Sequence, residues 1–293
     1  MDLGIAGRKA IVCASSRGLG RACALKLAEA GCEVVINGLH RERLEATAAD
    51  LRKATGARIT AVAADVATAD GQKALFGACP EPDILVNNNA GPPFRDFREL
   101  DRQKMLDGVT ANMVVAIELT QKVIDPMIAR KFGRIVNITS GSVKMPLVGL
   151  DLSSAARAGL TAFMAGVARS VAGSNVTINF LLPGAFDTDR LKGNIEATAK
   201  KQGVPYEQVS TARAASIPAK RFGTPDEFGA ACAFLCSAQA GYITGQNLLI
   251  DGGAFPGAFG RARRLCAAVP RRMIHRQFPF ASNPPRKMRS KET

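Results

Sequence analysis

The run LSSAARAGL, residues 152–160, combines one arginine with small side chains and contains no group that titrates near neutral pH. An arginine hardly releases its proton, so Arg157 can stabilise negative charge on an oxygen atom but is a poor proton donor. The hydroxyl of Ser153 titrates far above the range in which a general acid works best. These residue types predict electrostatic stabilisation without an ordinary acid; the alternative for Arg157 is a structural ion pair.

A lysine upstream of this run is the local candidate for a proton donor. Lys144 follows Ser140 by four residues in SGSVKMP, and a partly buried lysine beside Arg157 would have a lowered pKa. The alternative is a loop lysine in solvent. Asp151 also has two interpretations, a cap of the helix that begins near Leu152 or a proton-carrying group, and the cap is the expected role.

A second chemical feature is the segment CASSRGLG, residues 13–20, which joins a strand-like run to a helix-like run. Its glycines allow close backbone approach, and free amides at a helix N-terminus can receive a pyrophosphate. A plain strand-to-helix turn is the alternative. The alanine at position 14 is compatible with such a ligand only if that residue needs neither a positive φ nor the closest approach.

Composition excludes several classes of site. The seven cysteines are odd in number and form no CxxC pair, which argues against a disulfide framework and a zinc site. His40 and His275 are the only histidines, so a histidine-based metal site or a Ser-His-Asp triad lacks its residues, and we expect no metal. We recognise no export signal and no apolar run of membrane length, and we expect a cytoplasmic protein without a membrane partner.

The net charge of +14 is concentrated near the C-terminal end of the sequence. Ten of the 39 lysines and arginines lie in residues 258–293, against one acid. This segment has no pattern that predicts a packed core, so we expect a disordered basic tail. Binding of nucleic acid is one hypothesis for it, but we favour an unselected extension and expect no nucleic-acid partner.

Apolar, β-branched runs alternate with helix-like stretches and must position these residues. The alternation predicts an α/β fold, a doubly wound Rossmann-type parallel sheet of about seven strands in a single domain, residues 1–257. A polar, helix-like segment interrupts it, and we predict a lid over residues 189–216. The predicted strands are KAIVCA (9–14), EVVIN (33–37), RITAVAA (58–64), DILVN (83–87), GRIVNIT (133–139), VTINFLL (176–182) and QNLLID (246–251).

In order and spacing, seven segments over about residues 5–257 resemble the short-chain dehydrogenase/reductase superfamily, and most closely its β-ketoacyl-acyl-carrier-protein-reductase-like branch. They are CASSRGLG (13–20), ADV (64–66), DILVNNNAGPP (83–93), GRIVNITS (133–140), RAGLTAF (157–163), NFLLPGAFDT (179–188) and GYITGQNLLIDGG (241–253).

The resemblance implies a nicotinamide dinucleotide cofactor. Arg157 would orient its ribose, and four segments would hold the rest of the cofactor. The phosphates would be held by the turn residues Ala14, Ser16, Arg17, Gly18, Leu19 and Gly20, and the adenine would meet Asp65 and Val66. The crevice would be lined by Asn87, Asn88, Asn89, Ala90 and Gly91, and the nicotinamide would be flanked by Pro183, Gly184, Phe186 and Thr188.

Charge near the second strand indicates which dinucleotide is bound. A carboxylate at the end of that strand would accept the ribose hydroxyls of NAD, but Gly38 occupies this place. Arg17 in the turn can donate to a 2′-phosphate. NADP(H) is therefore favoured over NAD(H). Arg41 and Arg43 are further candidates for this phosphate, although a solvated helix face explains them as well.

The resemblance also implies the reaction and shows a departure from it. In the family a serine polarises the carbonyl, a tyrosine donates the proton, a lysine lowers the pKa of the tyrosine, and an upstream asparagine assists the proton relay. Ser140 and Asn112 match the serine and the asparagine, whereas Ser153 and Arg157 occupy the tyrosine and lysine positions.

These matches imply an NAD(P)-dependent oxidoreductase that interconverts a carbonyl, a 3-oxoacyl thioester or another ketone, with a secondary alcohol. Its partners would be that small-molecule substrate and further copies of the chain in a homodimer or homotetramer. The missing tyrosine and lysine motivate the alternative, a non-catalytic dinucleotide-binding protein with a structural or regulatory role.

Overall fold

Each of the seven predicted strands forms in the computed structural model, which describes residues 2–91 and 94–257. The basic tail predicted for residues 258–293 lies outside the described residues. The strands are β1 (Lys9–Val12), β2 (Glu33–Gly38), β3 (Ile59–Ala63), β4 (Ile84–Asn87), β5 (Gly133–Ile138), β6 (Val176–Pro183) and β7 (Asn247–Ile250).

All seven strands pair in parallel, in the order β3-β2-β1-β4-β5-β6-β7. The predicted α/β class and doubly wound sheet are therefore confirmed. The central strands β4 and β5 are buried throughout, whereas the edge strands β3 and β7 are only partly buried. A parallel sheet needs helices on both faces, and the nine helices of the described residues provide them.

The helices between the strands follow the apolar periodicity of the sequence. Their buried side chains form two clusters on opposite faces of the sheet. The helices are α1 (Gly18–Glu29), α2 (Arg41–Thr55), α3 (Ala69–Ala78), α4 (Arg102–Val109), α5 (Val115–Ala129), α6 (Asp151–Val171), α7 (Asp189–Gln202), α8 (Tyr206–Ser216) and α9 (Pro225–Cys236).

Helix α1 ends just before Gly31, which adopts a φ of +83°. The helix packs closely against α9: a methyl group at Gly229 would collide with the backbone of Ala22. Helix α9 begins with a reciprocal capping box formed by Thr224 and Glu227. This packing fixes the direction in which the N-terminus of α1 points.

One turn of π-helix, Thr110–Val114, joins α4 to α5. Such turns frequently occur at functional sites, because the extra residue re-aims a side chain. Helix α6 crosses the same region, and a methyl group at Gly108 would collide with Leu152 at its start. The cap predicted for Asp151 is wrong: Asp151 is itself the first helical residue, and its carboxylate accepts from the Gly149 N–H at 3.1 Å.

The segment predicted as a lid forms the two helices α7 and α8 and no named strand. Thr188 caps α7, with its hydroxyl accepting from the Leu191 N–H at 3.4 Å. Two buried aliphatic residues, Leu191 and Ile195, anchor α7 to the body of the protein. The first turn of α7 therefore has a fixed place beside the sheet.

Candidate active site

The strand order reverses between β1 and β4, since the chain continues outward from β1 to β2 on one side and from β4 to β5 on the other. In parallel α/β sheets, ligands bind in the crevice beyond the carboxyl ends of the strands at such a point. The residues that follow β1 are the turn at 13–20, and those that follow β4 are Asn88 to Gly91. The topology thus brings together two of the predicted cofactor segments.

The turn is held against the asparagine-rich segment by close backbone contact. Asn88 donates from Nδ2 to the carbonyl oxygen of Ala14 at 3.1 Å. A methyl group at Gly20 would collide with that same carbonyl oxygen and would lie 2.9 Å from the Asn88 amide nitrogen. Glycine is therefore required at position 20 by the geometry of the turn.

Ala14 has a φ of +45°, so the condition stated for it from the sequence is too strict: this fold holds an alanine in a left-handed backbone. A left-handed backbone is costly for a residue with a Cβ, so the surrounding contacts must hold it. Asn37, at the end of β2, supplies one of them, since its Oδ1 lies 3.5 Å from the Ala14 N–H. The side-chain nitrogen of Asn37, Nδ2, donates to the carbonyl oxygens of Val62 and Ala64, at 3.0 and 2.9 Å.

The N-terminus of α1 is open for an anion. Arg17 occupies the cap position, and no described side chain accepts a hydrogen bond from the first amides of the helix. The Arg17 guanidinium forms a 3.5 Å ion pair with Asp189 at the start of α7. A methyl group at Gly18 would lie 3.8 Å from the Thr188 Cγ2. The lid helix and the turn therefore border the same crevice.

The adenine side of the crevice has no acidic side chain at the end of β2. Gly38 ends that strand, and a methyl group there would lie 3.3 Å from the Ser16 Cβ. Arg41 and Arg43 are exposed on α2. Val66 is buried, whereas Asp65 is exposed and accepts from the Ala67 N–H at 2.9 Å.

Buried asparagines join β4 and β5 beneath the crevice. Asn87 donates from Nδ2 to the Asn137 Oδ1 at 2.9 Å. The Asn87 Oδ1 and the Asn137 Nδ2 are buried without a partner among the described residues. They line a cavity of about 20 Å³, which also contacts Asn112 and Arg157. A cavity of this size and polarity has room for a single water molecule.

The π-helical turn places Asn112 at this cavity, with only 5% of the residue exposed. Its amide nitrogen donates to the Gly108 carbonyl oxygen at 3.1 Å, while its Oδ1 is buried without a partner among the described residues. Asn89 lies alongside and donates to the Ala111 carbonyl oxygen at 3.0 Å. Asn112 can therefore accept a hydrogen bond from a water molecule or a ligand.

Ser140 follows β5 and keeps its hydroxyl proton available. Its Oγ accepts from the Ser142 N–H at 3.1 Å, and no described residue accepts a hydrogen bond from its O–H. Of the two interpretations of Lys144, the structure agrees with the loop lysine in solvent, because its side chain is exposed rather than partly buried. The short helical turn Gly141–Val143 projects Lys144 beyond the end of β5.

Arg157 is buried beside Ser153, its neighbour one turn earlier on α6. The guanidinium donates from Nη1 to the Ile138 carbonyl oxygen at 2.8 Å and from Nε to the Ser153 Oγ at 3.3 Å. Burial, and then the nearby positive charge of Arg190, lower the pKa of Arg157 to about 10. The arginine is thus a cation at neutral pH, held without a salt-bridge partner among the described residues.

A larger cavity of about 240 Å³ opens on the other side of Ser153. It lies between α4, the first turn of α6 and the loop that precedes α4, and Asn112 also borders it. Four charged residues line it: Arg95, Lys104, Asp107 and Asp151. Its volume suits a small organic molecule.

The residues predicted to flank the nicotinamide lie at the end of β6 and in the loop that follows, and they have different surroundings. The ring of Phe186 is buried in the core and stands edge-on to Phe228, with ring centroids 5.2 Å apart. Its side chain is therefore occupied by core packing rather than available to a nicotinamide ring. Gly184 packs against Asp251, Pro183 is half-buried at the end of β6, and Thr188 borders the crevice through the contact with Gly18.

The residues present fit a dinucleotide. Gly20 lets the turn approach Asn88 closely, where a Cβ would collide with the Ala14 carbonyl oxygen, and the first amides of α1 have no capping side chain among the described residues. Within residues 2–91 and 94–257 no cluster of candidate metal ligands occurs. Sequence reasoning missed Asn37, Asn137 and Arg190, which contribute to the site from β2, β5 and α7. In that same described part, no helix is long and apolar enough to cross a membrane.

Comparisons with known proteins agree with this architecture. A family model described as Enoyl-(Acyl carrier protein) reductase matches residues 13–254. The NADPH-dependent reductase BacG of Bacillus subtilis is 32% identical over 252 residues, which cover 84% of this chain and 97% of the relative. The 3-oxoacyl-[acyl-carrier-protein] reductase FabG of Aquifex aeolicus is 32% identical over 259 residues, 87% of this chain and 100% of the relative.

A solved structure shows the same fold. The crystal structure of L-sorbose reductase from Gluconobacter frateurii, complexed with NADPH and L-sorbose, matches with a TM-score of 0.82 at 29% identity. The match covers 87% of this chain and 99% of that one.

Proposed function

Because the chain belongs to the short-chain dehydrogenase/reductase family, we propose that it is an NADP(H)-dependent oxidoreductase that reduces a carbonyl group to a secondary alcohol. The observation that carries this proposal is the crevice at the strand reversal, where the uncapped N-terminus of α1 meets Asn88 and the glycine turn. When bound, the nicotinamide supplies hydride chemistry.

The chain's own residues would bind and polarise the carbonyl oxygen. The Ser140 Oγ accepts from the Ser142 N–H, and no described residue accepts from its O–H, so the proton is free to point at a substrate oxygen. Arg157 keeps one terminal nitrogen, Nη2, without a hydrogen-bond partner among the described residues. A buried guanidinium aimed at a developing alkoxide lowers the barrier by preorganised charge, as an oxyanion hole does.

The proton would come through water rather than from a side chain at the Ser153 position. Asn112 has a free, buried Oδ1 next to the cavity that has room for one water molecule. A water molecule held there by Asn112 would pass one proton to an alkoxide that Arg157 stabilises, and the hydroxide left behind would take up a proton from solvent. Arg157 itself, with a pKa of about 10, would remain protonated through the reaction at neutral pH.

The preference for NADP(H) over NAD(H) rests on the adenine side of the crevice. Gly38 leaves the end of β2 without the carboxylate that NAD-binding sites use. Arg17 is exposed in the turn and held only by a surface ion pair with Asp189, which a 2′-phosphate can displace. The substrate class is a 3-oxoacyl thioester or another ketone, as in the relatives named above.

A homodimer or homotetramer is the expected assembly, formed through α6. The face of this helix opposite the core carries Ala155, Ala158, Ala162 and Gly166, all exposed in the single chain. Small residues at these spacings allow another helix to approach closely. A symmetric pairing would bury this face against its own copy.

The alternative is a non-catalytic dinucleotide-binding protein. Its specific support is the lining of the small cavity: of the described residues there, Arg157 alone is titratable, and the others are asparagines and aliphatic side chains. A site without a proton donor can hold a cofactor without turning it over. Neither Tyr206, at the start of α8, nor the fully exposed Tyr242 lines the two cavities beside Ser153 and Arg157 in the described part of the chain.

The experiment that separates the two functions is replacement of Ser140 by alanine. In the proposed reductase, Ser140→Ala abolishes oxidation of NADPH by an acetoacetyl thioester while the Kd for NADPH stays within about twofold. Unchanged turnover in Ser140→Ala would remove this residue from the mechanism, and absence of turnover in the unaltered protein would favour the non-catalytic function.

A further inference from the structure

Two arginines from different elements converge on one glycine at the mouth of the crevice. A methyl group at Gly91 would lie 2.9 Å from the Nη2 of Arg190 and 3.4 Å from the Nη2 of Arg157. Arg157 comes from α6 and is almost completely buried, while Arg190 comes from the first turn of α7 and is exposed. The two positive charges are close enough that Arg190 lowers the pKa of Arg157.

The described residues do not neutralise this pair of charges. Around the start of α7, Asp189 pairs with Arg17 and Asp187 pairs with Lys192. Arg190 forms no salt bridge with any residue that the structure describes. Arg157 donates to a carbonyl oxygen and a hydroxyl, and neither group carries a charge. Two like charges held together at a crevice are costly unless a ligand supplies the opposite charge.

We propose that Arg157 and Arg190 together bind an anionic group of the substrate, so that the enzyme acts on oxo acids in preference to neutral ketones. This inference rests on the proposed reductase function for its substrate. Guanidinium groups suit carboxylates because each presents a planar fork of donors. Two residues next to the pair line the 240 Å³ cavity: Ser153, which accepts from the Arg157 Nε, and Ala90, which precedes Gly91. The rest of a small molecule held by the pair would extend into this cavity, which Asn112 also borders.

The proposed anion site joins the lid helix α7 to α6. Arg190 follows Thr188 by two residues, at the start of the helix that borders the crevice. A carboxylate bridging Arg157 and Arg190 would therefore link the first turn of α7 to α6. A neutral ketone offers no such bridge, and the repulsion between the two cations would remain.

The test compares matched acids and esters. NADPH oxidation is followed with 2-oxobutanoate and acetoacetate, each beside its methyl ester, in the unaltered protein, in Arg190→Gln and in the control Lys200→Gln. Lys200 is exposed in the last turn of the same helix, so its replacement removes an equal charge away from the crevice. We expect kcat/KM for the favoured acid to fall roughly 10- to 100-fold in Arg190→Gln only, the loss typical of a charged hydrogen bond, with the ester nearly unaffected.

A binding measurement keeps the inference separate from the reductase function. Sodium malonate, compared with sodium chloride at equal ionic strength, should raise the Tm of the unaltered protein and of Lys200→Gln but not that of Arg190→Gln. A malonate effect without any turnover would support the anion site and count against the proposed function. The inference is overturned if malonate has no effect, if acid and ester respond equally to Arg190→Gln, or if that variant loses NADPH affinity instead, which would assign the pair to a cofactor phosphate.

Discussion

The Nε of Arg157 lies 3.3 Å from the Oγ of Ser153, one turn earlier on the same buried face of α6. These two residues occupy the positions where the resembling family carries its lysine and tyrosine. Here they contact each other, and the Arg157 Nη1 donates to the last residue of β5. The arginine is thereby held in one orientation, with its remaining nitrogen facing the crevice.

Supplying the missing proton donor should accelerate the reaction. In Ser153→Tyr/Arg157→Lys, a tyrosine hydroxyl beside a lysine would act as general acid, a contribution of roughly 10²- to 10⁴-fold. The 240 Å³ cavity next to Ser153 leaves space for the ring. We expect kcat for NADPH oxidation by an acetoacetyl thioester at pH 7 to rise at least about tenfold.

The single variants are the matched controls for this double replacement. Ser153→Tyr retains an arginine, which cannot share its proton, and Arg157→Lys retains a serine, so each should gain less than the pair. Equal rates in all four proteins would mean that proton transfer does not limit turnover and that Ser153 is not the relevant position.

The rate should fall at alkaline pH because Arg157 then loses its charge. Its folded-state pKa is about 10, so kcat/KM should decline as the pH rises through that value. Titration of Arg157 does not itself destabilise the fold, because the pKa of Arg157 is lower in the folded chain than in the unfolded one. Above about pH 10 the unfolded chain retains the proton that the folded chain loses, so this group makes the free energy of unfolding increase with pH.

The control is Arg157→Lys, measured over the same pH range. A buried lysine starts from a lower ordinary pKa of about 10.4, so the decline should move to lower pH. A profile that stays flat up to about pH 10.5 in the unaltered protein would contradict electrostatic catalysis by Arg157.

Cofactor preference should change with one residue at the end of β2. Gly38→Asp adds a carboxylate where the 2′-phosphate of NADP is expected, so the Kd for NADPH should rise at least about tenfold while NADH binds as well or better. Fluorescence titration of both dinucleotides measures the change. Gly38→Ala controls for the added Cβ, which would lie 3.3 Å from Ser16. An equal rise in the Kd for NADPH in Gly38→Ala and Gly38→Asp would show that crowding by the Cβ, rather than charge, weakens binding.

The fold was predictable because its signal is repeated along the chain. Seven apolar runs, separated by stretches with helical periodicity, predicted every strand to within about two residues. The strand KAIVCA ends early, at Val12, because Ala14 turns the chain with a positive φ. Only tertiary contacts, such as that from Asn37, hold an alanine in this conformation.

The site was less predictable because its important contacts join distant segments. Arg190 looks like an ordinary charge in a polar helix, and only the folded chain brings it to Gly91 and Arg157. The π-helical turn that buries Asn112 has no sequence signature of its own. The two interpretations of Lys144 stayed open for the same reason: proximity in sequence to Ser140 gives no indication that the intervening turn directs it into solvent.

The central claim, that this crevice binds NADPH and passes a hydride to a carbonyl, is tested by the fluorescence of NADPH mixed with the full chain. The chain contains no tryptophan, so the nicotinamide signal is read directly. We predict an enhancement on mixing, followed by a decay to the level of oxidised cofactor after an acetoacetyl thioester or an oxo acid is added. Enhancement that persists with every carbonyl compound would contradict the reductase, and no enhancement at all would contradict the dinucleotide site itself.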